Sequence, residues 1–569
     1  MTTGFTASSS LRLDAGPVDY AIIATYFLVV LGIGVLARRQ VSSSLDFLLS
    51  GRSLPAWVTG LAFISANLGA IEILGMSANG AQYGIATMHY FWVGAVPAML
   101  FLGLVMMPFY YGSKVRSVPE FMLRRFGPGA HLVNAISFAV AQVLIAGVNL
   151  FLLGTIVNVL LGWSLLLSVV VAAAIVLAYT FLGGLSAAIY NEVLQFFVIV
   201  AALTPLTLAG LNRVGGWDGL SRAVTEGPGG AEQLSAWPAS QLTGFESPAL
   251  SAAGIVLGLG FVLSFGYWTT NFVEVQRAMA SKDMSAARRT PIIGAFPKLF
   301  IPFIVVIPGM IAAVEVAELA EFKAAGGEPG AAGGGIDYND ALLLLIRDLL
   351  PDGLLGLALT GLLAAFMAGM AANVSAFNTV FSYDIWQTYV VKDRDDSYYL
   401  KVGRVVTVAV CIGAIGTSFL AAGYANIVDY LQQLFSFFNA PLFATFILGM
   451  FWKRMTSTAG WAGLVAGTVA AVVVFVLTEI TGVVELPGQG GAFVGAGAAF
   501  VVDILVSVAV TMVTQPKPVA ALRGYVYSET PKADLREDKT GENAAWYRST
   551  PMLAAVAFAL VVVLNLVFL

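Results

Sequence analysis

Apolar runs follow one another along the whole chain, separated by short polar connectors. Fourteen stretches are apolar enough, and near enough to the roughly 20 residues a membrane-crossing helix needs, to read as spans. They are 18–37, 55–84, 85–113, 131–162, 163–182, 187–211, 250–276, 289–315, 352–385, 401–422, 425–452, 457–480, 490–513 and 551–569. No connector is long enough for a soluble catalytic domain. The pattern predicts an all-α integral membrane protein of about fourteen helices. The residues before Val18 lack the basic stretch and short apolar core of a cleaved leader, so 18–37 reads as a retained span.

Composition strengthens this reading. Of 569 residues, 58% are hydrophobic and only 11% charged, against about 25% charged in soluble domains. The net charge of −4 gives no footing for nucleic acid. A single cysteine, Cys411, excludes an internal disulfide, and two histidines, His89 and His131, exclude a Cys/His zinc set. No metal cluster, nucleotide loop or nucleophile–base pair suggests an enzyme, and no cofactor is expected.

Charge along the connectors sets the orientation. With the N-terminus outside, 23 of the 29 lysines and arginines fall on inner connectors, as expected where cytoplasmic loops are enriched in both. The chain is therefore expected in the cell (plasma or inner) membrane with both termini on the outer side. Outer connectors 212–249 and 316–340 are Gly-rich and acidic, and AAGGEPGAAGGG (324–335) predicts a flexible loop. Residues 338–350 predict a short amphipathic helix over the outer mouth. Residues 514–549 predict a charged inner linker.

Four spans carry polar groups at depth, where each is costly unless it meets a partner or a cavity. In FISANLGAIEILGMSANG (63–80), Asn67 and Glu72 lie near Gly69 and Gly75. A helix opened there would free backbone carbonyls to hold a ligand or ion; alternatively, both side chains bond a neighbouring helix. LSFGYWTTNFVEVQR (263–277) mixes small, aromatic and polar residues, with Gly266 as the expected break; Tyr267 and Trp268 fit either depth or an interfacial belt. In AFPKLFIPFIVVIPG (295–309), Lys298 precedes Pro302 and Pro308, so a kinked helix is expected, with the lysine either buried or snorkelling. AAFMAGMAANVSAFNTVFSYDIW (364–386) places Asn373, Ser375, Asn378 and Thr379 at helical spacing. The interrupted spans 55–84 and 250–276 lie five spans apart, which predicts a five-plus-five inverted repeat with broken second and seventh helices around a midplane site. The expected organisation is an N-terminal segment and first helix (1–54), a first repeat (55–211), an outer loop (212–249), a second repeat (250–452) and three peripheral helices (453–569).

These residues resemble the sodium:solute symporter family, above all its sodium/glucose and sodium/galactose branch. The likeness is carried by DFLLSGRSLPAW (46–57), the 63–80 stretch, VRSVPEFMLRRFG (115–127), YTFLGGLSAAIYNEVLQ (179–195), VQRAMASK (275–282), KLFIPFIVVIPG (298–309), YDIW (383–386) and LGMFWKRMTSTAG (448–460). The resemblance implies fourteen helices with a leucine-transporter-type repeat core. It also implies a substrate site of Asn67, Glu72, Ser264, Tyr267, Lys298 and Gln432. Two family contacts are replaced, a glutamate by Phe91 and a serine by Gly94. For Na⁺ the resemblance implies carbonyls of Ser65, Leu68 and Ala365, but two hydroxyl ligands are replaced by Ala368 and Gly369. A carboxylate on the ion path is kept as Glu192.

The expected function is cation:solute symport of a small polar solute, a monosaccharide or polyol, with Na⁺ as coupling ion. Proton coupling through Glu72 and Glu192, or uncoupled transport, is the alternative that Ala368 and Gly369 raise. A solute-binding membrane sensor is a further reading, although no segment offers a signalling domain. The expected partners are the solute and the bilayer, with no obligatory protein partner.

Overall fold

The computed structural model describes residues 13, 15–38, 50–327, 336–421, 424, 426–486, 488–532, 535 and 545–569. The expectations for residues 1–12, for most of the Gly-rich loop (328–335) and for the middle of the inner linker (536–544) lie outside these. Among the described residues the fold is helical, and its only bridge in extended backbone joins Leu54 to Ser281.

The chain opens with α1 (Pro17–Arg38) and the broken pair α2 (Ala56–Asn67) and α3 (Ile71–Met88), which meet at 58°. There follow α4 (Tyr90–Gly112), α5 (Val118–Phe126), α6 (Pro128–Leu161) and α7 (Leu165–Arg213). The second half begins with α8 (Pro248–Thr270) and α9 (Phe272–Met279). It continues through α10 (Met284–Glu315), α11 (Ala341–Leu349), α12 (Leu354–Val390), α13 (Asp396–Ala421) and α14 (Ile427–Phe451). The last helices are α15 (Ser457–Ile480), α16 (Gly490–Val513) and α17 (Thr550–Val567). Twelve described helices are long and apolar enough to span, or thirteen with the bent pair. The fourteenth candidate, 163–182, is the shorter apolar segment Leu165–Leu177. It runs without interruption into the next span, because α7 continues for 49 residues with its one proline, Pro205, near the far end.

Both expected breaks are present, the second at a different residue. The first lies where Leu68 leaves helical geometry at ψ 47°. One hydrogen bond, from the Leu68 amide to the Ile64 carbonyl, closes α2, and another, from the Ile73 amide to the Gly69 carbonyl, opens α3. Gly69 serves close approach. A Cβ there would lie 3.3 Å from the Gly369 Cα, and one on Gly369 would lie 3.0 Å from the Gly69 Cα. The second break falls at Asn271 rather than Gly266. Asn271 is extended (φ −70°, ψ 115°), and its side chain accepts from the Val273 amide to cap α9. Gly266 stays helical; its missing Cβ lets α14 approach, since a Cβ would sit 2.8 Å from the Asn439 carbonyl oxygen.

Helix α10 is the central post, packed against α2, α3, α4, α7 and α9. It remains one helix despite Pro291, Pro297, Pro302 and Pro308. Neighbours bond its carbonyls: Ser77 donates to Val305 at 2.7 Å, and the Trp92 indole donates to Leu299 at 3.1 Å. The α3–α10 crossing depends on two glycines. A Cβ on Gly80 would sit 2.3 Å from the Val306 oxygen, and one on Gly309 would sit 1.9 Å from the Ser77 oxygen. The segment expected over the outer mouth forms α11, whose residues Ala341–Ile346 are buried against α10 and its neighbours. Arg277 and Arg125, assigned to inner connectors on charge alone, are fully buried instead. The Arg125 guanidinium donates to the carbonyls of Gly449, Met455 and Trp452.

Overpacking a close crossing costs about 1–3 kcal/mol. Gly309→Ala should therefore lower the thermal midpoint of the purified protein, whereas Gly497→Ala, which meets nothing within 4 Å, should leave it unchanged. Equal midpoints for the two variants would contradict the packing described.

Candidate substrate and ion site

A cavity of about 100 Å³ lies at the first break. One water needs about 10–15 Å³ measured this way, so the space suits several waters or one small solute. All six residues expected to hold substrate line it: Asn67, Glu72, Ser264, Tyr267, Lys298 and Gln432. They come from α2, α3, α8, α10 and α14, so the site exists only when both halves of the chain are assembled. Lys298 does not snorkel; it is 2% exposed.

Lys298 organises one wall. Its ammonium donates to Glu72 Oε1 at 2.5 Å and to Asn67 Oδ1. It also sits over two aromatic faces, 4.7 Å from the Phe91 ring centre and 5.2 Å from that of Trp268. Such faces attract cations. Phe91, which replaces a polar contact of the family, thus becomes part of the cradle for the lysine, and Glu72 supplies the carboxylate. Gly94, the other replaced position, makes room for Ser264, whose hydroxyl would lie 2.3 Å from a Cβ there. Asn67 and Glu72 bond a neighbouring helix and also line the cavity.

The hydrogen bonding continues behind this wall. The Asn67 amide nitrogen donates to the Tyr267 hydroxyl at 3.1 Å, and that hydroxyl donates to Glu274 Oε1 at 3.0 Å. Tyr267 also packs on Phe435 with ring centres 4.8 Å apart. Deeper in the same region, Arg277 grips Glu192 with both sides of its fork, at 2.5 and 3.3 Å. Both side chains are fully buried. Glu192, expected on an ion path, is therefore one half of a closed ion pair.

Amides supply much of the remaining polar lining. Asn149 on α6, Asn271 at the second break and Asn373 on α12 line the cavity together with Gln432. Asn149 Oδ1 and Gln432 Oε1 accept no hydrogen bond from the protein. Sequence reasoning passed over Asn149 and Asn271. Asn149 did carry a signal, as a lone amide in an apolar span.

Of the residues expected at Na⁺, only Gly369 reaches this cavity; Ser65, Leu68, Ala365 and Ala368 are buried beside it. The Ser65 hydroxyl has no hydrogen-bond partner in the protein. Where hydroxyl side chains would be expected, α12 presents Ala368 and Gly369, and Asn149 Oδ1 lies 3.3 Å from a Cβ placed on Gly369. Among the described residues, no cluster of three or more His, Cys, Asp or Glu could hold a metal.

The family model of the sodium:solute symporters matches residues 47–467, well over half of the chain. The chain belongs to the sodium:solute symporter family. It is 29% identical over 459 residues to the sodium/glucose cotransporter of Vibrio parahaemolyticus, covering 79% of this chain and 83% of that one. It is 28% identical over 491 residues to sodium/glucose cotransporter 4 of Danio rerio, covering 82% and 72%. A solved Na⁺-coupled sialic acid symporter, described as substrate-bound and outward-open, superposes with a TM-score of 0.70 at 17% identity, over 88% of this chain and 99% of that one. The symporter fold is thereby shown for this multi-pass membrane protein, and its family is one of transporters rather than enzymes.

Removing one partner of a buried ion pair costs about 3–5 kcal/mol, because a charge is left alone. Glu72→Gln and Lys298→Met should each lower the thermal midpoint of the purified symporter strongly, and the double variant should fall by much less than the two losses added. Additive losses in that double-mutant cycle would mean that the two side chains do not act as a pair.

Proposed function

We propose that this symporter is a secondary active transporter that carries a small polar solute, a monosaccharide or polyol, by alternating access with Na⁺ as the coupling ion. The observation that carries the reading is the cavity at the first helix break, lined by a lysine–carboxylate pair and by amides. Because Lys298 and Glu72 neutralise each other, the pocket favours a neutral solute over an ion. The free acceptors Asn149 Oδ1 and Gln432 Oε1 suit a ligand that donates hydrogen bonds, as hydroxyl groups do. A second small cavity, which shares Ile145, Asn271 and Phe435 with the first, is lined by Asn134, Gln142 and Thr270 and supports a route away from the site. The names of the relatives, sodium/glucose cotransporters, agree with both solute class and ion.

Proton-coupled or uncoupled transport is the second reading, favoured by Ala368 and Gly369. A hard cation binds through oxygens, and these two positions supply none from their side chains. The proposed setting is the cell membrane, the repeats at 55–211 and 250–452 forming the moving core.

The test is uptake of labelled sugars, polyols and small acids into liposomes containing the purified chain, with and without an inward Na⁺ gradient. At least one monosaccharide or polyol should accumulate only with Na⁺, and unimpaired accumulation without it would overturn Na⁺ coupling. A hydrogen bond to a charged group contributes about 1.5–3 kcal/mol, so Glu72→Ala should cut uptake about tenfold or more. Unchanged uptake at normal expression would remove Glu72 from the site.

A further inference from the structure

The buried groups around Tyr267 contain one carboxylate too many. Glu72 is paired with Lys298, and Glu192 with Arg277. The third, Glu274 on α9, is fully buried and makes no ion pair among the described residues. Its Oε1 accepts from Tyr267, and its Oε2 meets no hydrogen-bond donor of the protein. The charged and titratable groups that face it are Tyr267 from α8, Lys298 from α10, Glu192 from α7 and Arg277 one turn along its own helix. Two cations therefore face three carboxylates, and both cations are already engaged.

A buried, uncompensated carboxylate is unstable in a low-dielectric interior and draws in a positive charge. A metal ion would need several oxygens around it. Glu274 offers one neighbouring hydroxyl and lines neither the substrate cavity nor the one beyond it. A proton needs no such shell.

We infer that Glu274 is a proton-binding site of this symporter, occupied in one half of the transport cycle and linked to the substrate pocket through Tyr267. An O–H bond forms on the carboxylate as an O–H bond of a hydronium ion breaks, water is released, and the local charge rises by one. Hydrogen bonds to ionised acceptors are about twice as strong as neutral ones, so protonation loosens the hold on the Tyr267 hydroxyl. That hydroxyl also takes the Asn67 amide, and Asn67 takes the Lys298 ammonium. The charge state of Glu274 thus reaches the groups that meet the solute. Glu72 and Glu192, the carboxylates first considered for a proton, are held in pairs instead. The inference rests on the transporter reading for its place in a cycle, while proton binding itself can be measured without any solute.

The test is infrared difference spectroscopy of the purified full-length chain as pH is varied, in Na⁺ and in choline buffers. Wild type should show a protonated-carboxyl C=O stretch that E274Q loses by one carboxyl's intensity. Tyr267→Phe should keep that stretch and shift its frequency, because the hydrogen bond to Oε1 is gone. A wild type without this signal wherever the protein stays folded, or full intensity surviving in E274Q, would overturn the inference. If E274Q fails to fold, the Tyr267→Phe spectrum decides alone, an unshifted band counting against it. Absence of solute uptake in the liposome assay would sink the transporter reading and leave the infrared result standing.

Discussion

The ammonium of Lys298 is the group around which the structure is arranged. Placing a charge on the central helix of a membrane protein is tolerable only with a carboxylate, a polar acceptor or a π face close by. Lys298 has all three, in Glu72, Asn67 and the rings of Phe91 and Trp268. Asn67 and Glu72 can both face it because the helix carrying them breaks between them. That break in turn depends on Gly69 and Gly369 letting two backbones touch. The pocket is the space this arrangement leaves open.

The same constraint explains how the site departs from the family's pattern without collapsing. With Phe91 where the resemblance implies a carboxylate, Glu72 supplies the charge from the preceding helix and the Phe91 ring lies over the ammonium. At Ala368 and Gly369, where the resemblance implies hydroxyl ligands, no hydroxyl makes a comparable replacement. Ala368 and Gly369 keep the crossing tight, and the nearest free side-chain oxygen at that crossing is Asn149 Oδ1. The wall around Lys298 keeps its charge balance through Glu72, whereas α12 offers no side-chain oxygen at Ala368 and Gly369.

Much of this was legible in the chain. Asn67, Glu72 and Lys298 stood out because ionisable and polar groups are rare at depth, and the motif likeness brought Ser264, Tyr267 and Gln432 to the same pocket. The interrupted spans 55–84 and 250–276 were visible as small and polar residues in apolar runs. Other features depend on tertiary packing. Glu274 lies in FVEVQR at the end of a stretch read as polar at depth, and Arg277 was counted on the basic connector that follows; the packing of α9 against α2, α10 and α12 buries both. Gly266 looked like the second break, yet it is a contact for α14, and the break belongs to Asn271, whose capping bond a sequence does not display. The span at 163–182 merges into α7 because no helix-ending residue between it and the next span is strong enough to divide them.

The central claim is that the cavity beside Lys298 and Glu72 is where solute sits during transport. The most direct measurement is an electron cryo-microscopy structure of the full chain in lipid nanodiscs with the transported solute and Na⁺ present. Solute density within hydrogen-bond reach of Lys298, Glu72 and Gln432, between the Tyr267 ring and the Asn149 amide of α6, is the expected result. Solute bound elsewhere, with only water beside an undisturbed Lys298–Glu72 pair, would contradict the account.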